Sequence, residues 1–483
     1  MARALAFAGV RPGLGRGDGR RFPLLLAAAI GLAALALGGL VAYDPMLGLG
    51  ALAGGGFLLL AFLDLPLGLA VWLAVQSLAA APGTHGGPTG TTVLVLLCWI
   101  ARAARDPAAV RRALREARWA VGLTALLLAW TAASLLWAEQ LAPARTLLIQ
   151  YAIAMAFVPV IATSDDRARA VIAIATGYVA GVVVAVLYAT ALGTVDQPYL
   201  PIAGRPGESQ GRLWLGNNDP NYLASTIVSA LALSGGLLAV TRRRAFRIAL
   251  VAGLPVLLYG LAATQSRGGI VALLVVAVAA PVLCRGRRLQ VTGYLAVGLA
   301  VAAMLFVSQP GAFERLSSSD SRGGTGRSDV WHAASRVTAE HPLTGVGVGN
   351  FQVVLPRYGD QPGLVTYADF IVSTPLFAVS IWWQALSETG VVGGLLLLAA
   401  LLACLISAWR AGQRFARARR PDLAFLAQMV LTGQLGAIAA STFLSNANER
   451  LFWGLLALGP ALLVASRHAT RPPASTPTSP ADA

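Results

Sequence analysis

The sequence has few charged residues and lacks one kind altogether. Only 12% of its 483 residues are charged, and lysine is absent, so that all 37 basic residues are arginine. Hydrophobic residues make up 57% of the chain, and the mean hydropathy is +0.68. Because soluble domains carry about 25% charged residues, this composition excludes soluble enzymes and disordered chains. The chain is that of a membrane protein.

Cysteine and histidine are scarce as well. Cys98, Cys284 and Cys404 lie inside apolar runs or at their ends, and the four histidines are isolated from one another. Such spacing predicts neither a disulfide framework nor a zinc site. We therefore expect no metal and no other cofactor.

Apolar runs dominate what remains. A bilayer crossing needs about 20 apolar residues, and fourteen runs are candidates, of which the second and fourth are weak and could be re-entrant. The runs are 22–43, 46–63, 65–81, 89–101, 119–137, 146–162, 170–192, 222–240, 248–263, 268–283, 291–307, 381–408, 423–443 and 451–466. The sequence predicts an all-α polytopic membrane protein with about 12 to 14 transmembrane helices and one large extracytoplasmic loop that contains short helices.

The arginines predict the orientation of these helices. Alternating loops place 27 arginines on one side of the membrane and 10 on the other. By the positive-inside rule the basic side is cytoplasmic, and both termini lie there. The net charge of +16 then reflects topology and contact with anionic membrane lipids, and it indicates no nucleic-acid partner.

This topology divides the chain into five segments. Expected are a basic cytoplasmic N-terminus, transmembrane helices with an outer loop at 193–221, an extracytoplasmic loop domain, C-terminal transmembrane helices, and a disordered cytoplasmic tail. Their bounds are 1–21, 22–307, 308–380, 381–466 and 467–483. Within the large loop, Trp331, Ala334 and Val337 recur at helical spacing, which predicts a short amphipathic helix after Gly326 that ends near Pro342.

Polar residues gather in four clusters on the predicted outer side. Helix capping, solvated loop charges and interfacial arginines each explain part of them. Placing an arginine just below the outer interface would cost about 2 to 3 kcal/mol of insertion free energy. We therefore expect Arg267 to face a polar cavity or an anionic partner. Several converging arginines suit the oxygens of a pyrophosphate. The clusters are Asn217, Asn218, Asp219 and Asn221; residues 265–269 with Arg267; Arg322, Arg327 and Arg336; and Asn446, Asn448, Glu449 and Arg450.

Five segments resemble the O-antigen ligase and Wzy-type polymerase superfamily, whose members are polytopic membrane glycosyltransferases. The segments are 216–224, 265–269, 326–331, 341–351 and 385–393. The resemblance implies a multi-pass protein of the bacterial cytoplasmic (inner) membrane that acts in polysaccharide biosynthesis of the cell envelope. It implies metal-independent transfer of a glycan from an undecaprenyl- or decaprenyl-diphosphate carrier to a hydroxyl of a glycan or lipid acceptor, at the outer face.

The candidate catalytic residues follow from that chemistry. Arg267 and Arg327 are expected to stabilise the charge that develops on the diphosphate as the sugar leaves. Supporting substrate contacts are expected from Arg322, Arg336, Arg450, Asn217, Asn218 and Asn221.

The residue expected to act as general base departs from the family pattern. The ligase branch has a histidine about nine residues before the glutamate of its last motif, and here Val379 stands at that place relative to Glu388. Asp369, Asp219 and Glu388 are the alternative bases. Ligase and polymerase activity both stay open.

A flippase or transporter of a lipid-linked saccharide is the main alternative function. Such a protein would carry polar residues halfway along several spans. The predicted spans are apolar apart from Gln384, Gln428 and Gln434. This pattern favours a site at the membrane surface and hence an enzyme.

Overall fold

The computed structural model describes residues 45–79, 87–192, 212–215, 219–308, 327–359 and 376–469. Within these ranges the regular structure is helical and includes no strand. Nine helices of this part are long and apolar enough to cross a membrane, and three shorter apolar helices accompany them. The prediction of an all-α polytopic membrane protein is confirmed. The first apolar run, 22–43, lies outside the described residues.

Sixteen α-helices make up the described part. Each of the thirteen apolar runs after the first lies on a helix, and the helix predicted in the large loop is present as α12. In chain order the helices are α1 Pro45–Leu63, α2 Leu65–Gln76, α3 Gly87–Arg105, α4 Pro107–Glu116, α5 Arg118–Ala133, α6 Leu141–Thr163, α7 Ala168–Ala191, α8 Pro220–Val240, α9 Arg244–Thr264, α10 Arg267–Leu283, α11 Arg288–Val307, α12 Arg327–Glu340, α13 Phe351–Gly359, α14 Ile381–Arg417, α15 Pro421–Ser441 and α16 Arg450–Ala469.

Two helices differ from the predicted runs. The third run reaches residue 81, but α2 has 12 residues and ends at Gln76, so it rises about 18 Å and does not span a hydrocarbon core of about 30 Å. Its end is fixed because the buried Gln76 Nε2 donates to the carbonyl of Pro88, 2.9 Å away, at the start of α3. The helix α14 has 37 residues and continues past the predicted end at residue 408.

The bundle has two ends of different character. One end, called the arginine end, is formed by the arginine-rich segments 102–118, 242–247, 285–288 and 410–420. There Arg414 and Arg467 both pair with Glu116, and Arg287 pairs with Asp422 at 2.7 Å. The other end, called the junction end, carries the tight junction between α9 and α10.

The last helix, α16, lies at the centre of the bundle and is almost entirely buried. It packs against α6, α14 and α15. Gln434 on α15 donates to the carbonyls of Leu455 and Leu456 at 3.1 and 3.0 Å. This glutamine, one of the three polar residues predicted within spans, therefore joins two helices, as buried polar groups in membranes commonly do.

Candidate functional site

The junction between α9 and α10 sets the position of Arg267. Gln265 ends α9 in the left-handed region, with φ of +49°. Ser266 then caps α10, because its hydroxyl oxygen accepts a hydrogen bond from the backbone N–H of Gly269 at 3.0 Å. Arg267 is thereby the first residue of α10, and its side chain is exposed.

The start of α8 is tied to this junction by Asn221. Its side-chain oxygen accepts hydrogen bonds from the hydroxyl of Ser266 at 2.7 Å and from Arg212 Nη2 at 3.3 Å. Asp219 caps α8 and accepts from the backbone and side-chain nitrogens of Asn221, at 2.8 and 2.5 Å. Asn221 is only 6% exposed, so it holds two helix starts together and its oxygen is already occupied by protein donors.

Arg212 is a residue that the sequence interpretation missed. Its guanidinium is buried and donates from Nε to the carbonyl of Thr264 at 2.9 Å, at the end of α9. Nothing in the sequence distinguishes it from Arg205, the other arginine of the loop at 193–221, because its partner Thr264 is distant in the chain.

Phe443 brings the starts of α10 and α12 together. Its ring centroid lies 6.1 Å from that of Trp331, one turn after Arg327. A Cβ placed on Gly268, the residue after Arg267, would lie 3.6 Å from the Cβ and Cδ2 atoms of Phe443. The first turns of α10 and α12 therefore flank one aromatic residue, and each of these helices begins with one of the two arginines.

The glycine-rich segment after α12 is locked onto α14. The backbone N–H groups of Val346 and Gly347 donate to the carbonyls of Ser387 and Glu388 at 2.9 and 2.8 Å. In return, Val391 N–H donates to the carbonyl of Pro342 at 2.8 Å. The helix α14 is broken at Gly390, whose φ is +68° and ψ is −173°. The break leaves backbone groups of α14 without partners inside the helix, and these three hydrogen bonds pair them. We call this contact the latch, formed by residues 342–349 and 387–391.

Glu388 is enclosed by the latch. Its side chain is 2% exposed and faces the N–H of Gly349 and the amide of Gln384. Within the described part of the chain, Glu388 Oε1 has no hydrogen-bond partner. Its position suits it to hold the glycine-rich segment in place, whereas an acceptor hydroxyl could not reach it without opening the latch.

Arg450 and Glu449 form a second polar group at the junction end. Arg450 Nη1 donates to Gln76 Oε1 at 2.9 Å and to Thr92 Oγ1 at 3.4 Å, which links α16 to α2 and α3. The carboxyl of Glu449 is hydrogen-bonded to Tyr222 of α8. Burial raises the pKa of Glu449 above its ordinary value, and the hydrogen bond from Tyr222 and the charge of Arg450 only partly oppose that effect.

The position of the family histidine lies just before α14, whose first residues contact the loop after α15. The residue there, Val379, has a φ of +53°, which costs a branched side chain about 1 to 2 kcal/mol. The next residue, Ser380, donates its N–H to the hydroxyl of Ser445 at 3.3 Å. Trp382 Nε1 lies 3.3 Å from the hydroxyl oxygen of Thr442. The strained backbone is thus held against the loop that follows α15.

The starts of α8, α10 and α12 lie at the junction end. Asn221 joins α8 to α10, and Phe443 lies between α10 and α12. These helix starts carry four of the predicted site residues, namely Asp219, Asn221, Arg267 and Arg327. Arg336 follows Arg327 by nine residues, which is half a turn out of phase on a helix, so it projects from the opposite face of α12 and is exposed. Apart from Glu388 and Arg450, described above, the remaining predicted site residues lie outside the described residues. They are Asn217, Asn218, Arg322 and Asp369.

A family model matches part of the chain. Residues 252–398 match the family model Wzy_C, O-antigen ligase. The match runs from α9 into α14 and includes Arg267, Arg327 and Glu388. It confirms the resemblance drawn from the motifs, and it indicates a glycosyltransferase of the ligase or polymerase type whose substrates are a lipid-linked glycan and an acceptor in a membrane. No curated protein matches the chain.

Proposed function

We propose that the protein transfers a glycan from a polyprenyl-diphosphate carrier to a hydroxyl of a glycan or lipid acceptor. In this proposal the arginine end faces the cytoplasm and the junction end lies at the outer face of the cytoplasmic membrane. The observation that carries the proposal is the position of Phe443, which stacks on Trp331 and lies 3.6 Å from where a Cβ on Gly268 would be. Arg267 and Arg327 are the first residues of α10 and α12, and these two helices flank the ring of Phe443.

This arrangement suits a diphosphate leaving group. A helix N-terminus carries a partial positive charge of about half an elementary charge, and each of the two N-termini also carries a guanidinium group. When the bond between the sugar and the diphosphate breaks, negative charge develops on the diphosphate oxygens. Cations that are already in place stabilise that charge more in the transition state than in the ground state.

The acceptor hydroxyl must also lose a proton. Among the described candidates, Asp219 is the better base because it is partly exposed at the start of α8, next to the α9–α10 junction, whereas Glu388 is 2% exposed beneath the latch. Asp369 stays an alternative. We assign Glu388 to positioning the glycine-rich segment.

The polar residues within the spans support an enzyme over a transporter. Gln434 bonds to the carbonyls of α16, Gln384 faces Glu388 near the start of α14, and Gln428 lies towards the arginine end of α15. Each lies at a different depth, and none continues a polar path between the two ends within the described helices. A route for a saccharide across the membrane would need such a path.

A transfer assay tests the proposal. The purified protein in lipid nanodiscs would be given a polyprenyl-diphosphate oligosaccharide and a panel of glycan and lipid acceptors. We expect Arg267→Ala and Arg327→Ala each to lower kcat by about 100- to 1000-fold, the usual effect of removing one transition-state donor. Arg145→Ala is the matched control, because Arg145 is an exposed arginine near the start of α6 at the same end of the bundle.

The outcomes separate the candidate functions. Full transfer activity in both arginine variants, with unfolding midpoints equal to that of the wild type, would refute the site assignment. Movement of the labelled lipid-linked glycan across the bilayer without any transfer product would favour the flippase.

A further inference from the structure

A groove lies at the arginine end, away from the proposed transfer site. It has a volume of about 420 Å³ and runs between α10 and α14, with α15 as its floor. This volume is within the range of about 300 to 1,000 Å³ that is usual for sites of small molecules. Its lining includes Val282, Arg285, Ala408, Trp409, Gln428 and Leu431.

One part of the groove's lining is apolar, and the other part is polar. Val282, Leu283, Ala408 and Leu431 supply an apolar wall, whereas Arg285 and two glutamines follow where the helices reach the arginine end. Trp409 is 51% exposed on this wall, and tryptophan is enriched at the depth of lipid headgroups. An apolar trough that ends in a cation at headgroup depth matches the shape and charge of a phospholipid.

The polar groups of the groove are available to a ligand. Within the described part of the chain, Arg285 makes no ion pair and the side-chain amide of Gln428 makes no hydrogen bond. Arg287, two residues after Arg285, pairs with Asp422 at 2.7 Å and stacks on Phe425. That pair neutralises Asp422, so an anion beside Arg285 meets less repulsion.

We propose that this groove binds a diacyl phospholipid with an anionic headgroup. One acyl chain would lie along Val282 and Leu431, and the phosphate would accept hydrogen bonds from Arg285 and Gln428. Anionic lipids are attracted to basic segments at the cytoplasmic surface, and the groove lies among the basic segments of the arginine end. The inference does not depend on the transfer reaction, because the groove and the junction lie at opposite ends of the bundle.

Native mass spectrometry of the full chain in a neutral detergent tests this site. The protein would be titrated with phosphatidylglycerol, with phosphatidylcholine of the same acyl chains, and with glycerol phosphate alone. We expect one phosphatidylglycerol to be retained in preference to phosphatidylcholine, with Arg285→Gln weakening its retention about fivefold, the contribution of one basic group near an anionic lipid. Arg288→Gln is the matched control, since Arg288 is exposed at the same helix junction but does not line the groove.

A second variant tests the groove without changing charge. Val282 lines the groove, and it is 56% exposed. Val282→Trp is therefore expected to leave the helix packing unchanged while the larger side chain occupies the place of the acyl chain and displaces the lipid. Unfolding midpoints of both variants should equal that of the wild type.

Four results would overturn the proposal. The first is an equal loss of retention in Arg285→Gln and Arg288→Gln, and the second is equal retention of phosphatidylcholine. The third is binding of glycerol phosphate as tight as that of the lipid, and the fourth is full retention of the lipid by Val282→Trp.

Discussion

Replacing Gly390 by alanine would show how much the latch contributes to the stability of the protein. Gly390 has φ of +68° and ψ of −173°, a combination that is essentially restricted to glycine. A Cβ at this position would lie 2.2 Å from the carbonyl oxygen of Leu343. The Cβ is bonded directly to the backbone, and the oxygen of Leu343 belongs to the backbone. The clash therefore cannot be relieved by rotating a side chain.

The expected loss of stability has two sources. Forcing a side chain into this backbone region costs about 1 to 3 kcal/mol. Moving the segment around Leu343 away from α14 also weakens the 2.8 Å hydrogen bond from Val391 to Pro342, worth about 0.5 to 1.5 kcal/mol. We expect Gly390→Ala to destabilise the fold by about 2 to 4 kcal/mol, a large share of the 5 to 15 kcal/mol that stabilises a typical protein.

The free energy of unfolding in detergent, followed by circular dichroism during denaturant titration, measures this effect. Gly298→Ala is the control, because Gly298 lies within α11 and a Cβ there would have no atom within 4 Å. Alanine should be tolerated at that position and favoured in a helix by about 1 kcal/mol. Equal unfolding free energies for the two variants would refute the reasoning about the latch.

Two further predictions concern the junction end. Ser266→Ala removes the cap of α10 and the 2.7 Å hydrogen bond to Asn221, so it should lower the unfolding free energy by about 1 to 2 kcal/mol. Ser308→Ala removes a hydroxyl that donates to the carbonyl of Leu305 in its own helix, and it should change the unfolding free energy little. Equal effects of the two substitutions would contradict the bridging role of Ser266. The second prediction concerns Glu449, whose pKa is raised by burial. Its carboxyl therefore keeps its proton to a higher pH in the folded state than in the unfolded state. The stability that this protonated carboxyl contributes is lost as pH rises above the ordinary range of a glutamate. Unfolding midpoints measured from about pH 4 to pH 8 should therefore fall less steeply in Glu449→Gln than in the wild type, and parallel curves would show that Glu449 does not carry the effect.

The helices could be predicted from the sequence because each is encoded locally. A membrane segment needs a continuous apolar run, and α8 to α10 lie where such runs indicate them. The helix α12 was equally visible, since Trp331 and Val337 recur at helical spacing and Pro342 follows.

The features that arrange the site depend on residues far apart in the chain. The break at Gly390 exists because Leu343 and its neighbours pack against it, and a glycine within an apolar run gives no sign of this. Phe443 is one apolar residue at the end of a long apolar run, so its position between Gly268 and Trp331 could not be predicted. Asn221 was correctly placed at a helix start, but its partner Ser266 is 45 residues away.

A double-mutant cycle on Arg267 and Arg327 measures directly whether the two arginines act on one diphosphate. The values of kcat/KM for glycan transfer would be compared among the wild type, Arg267→Ala, Arg327→Ala and the double variant. If both guanidinium groups bind the same leaving group, the loss in the double variant should be smaller than the product of the single losses by at least about threefold, since groups that share a partner are coupled. Losses that simply multiply, or a single variant with full activity, would contradict a shared diphosphate site.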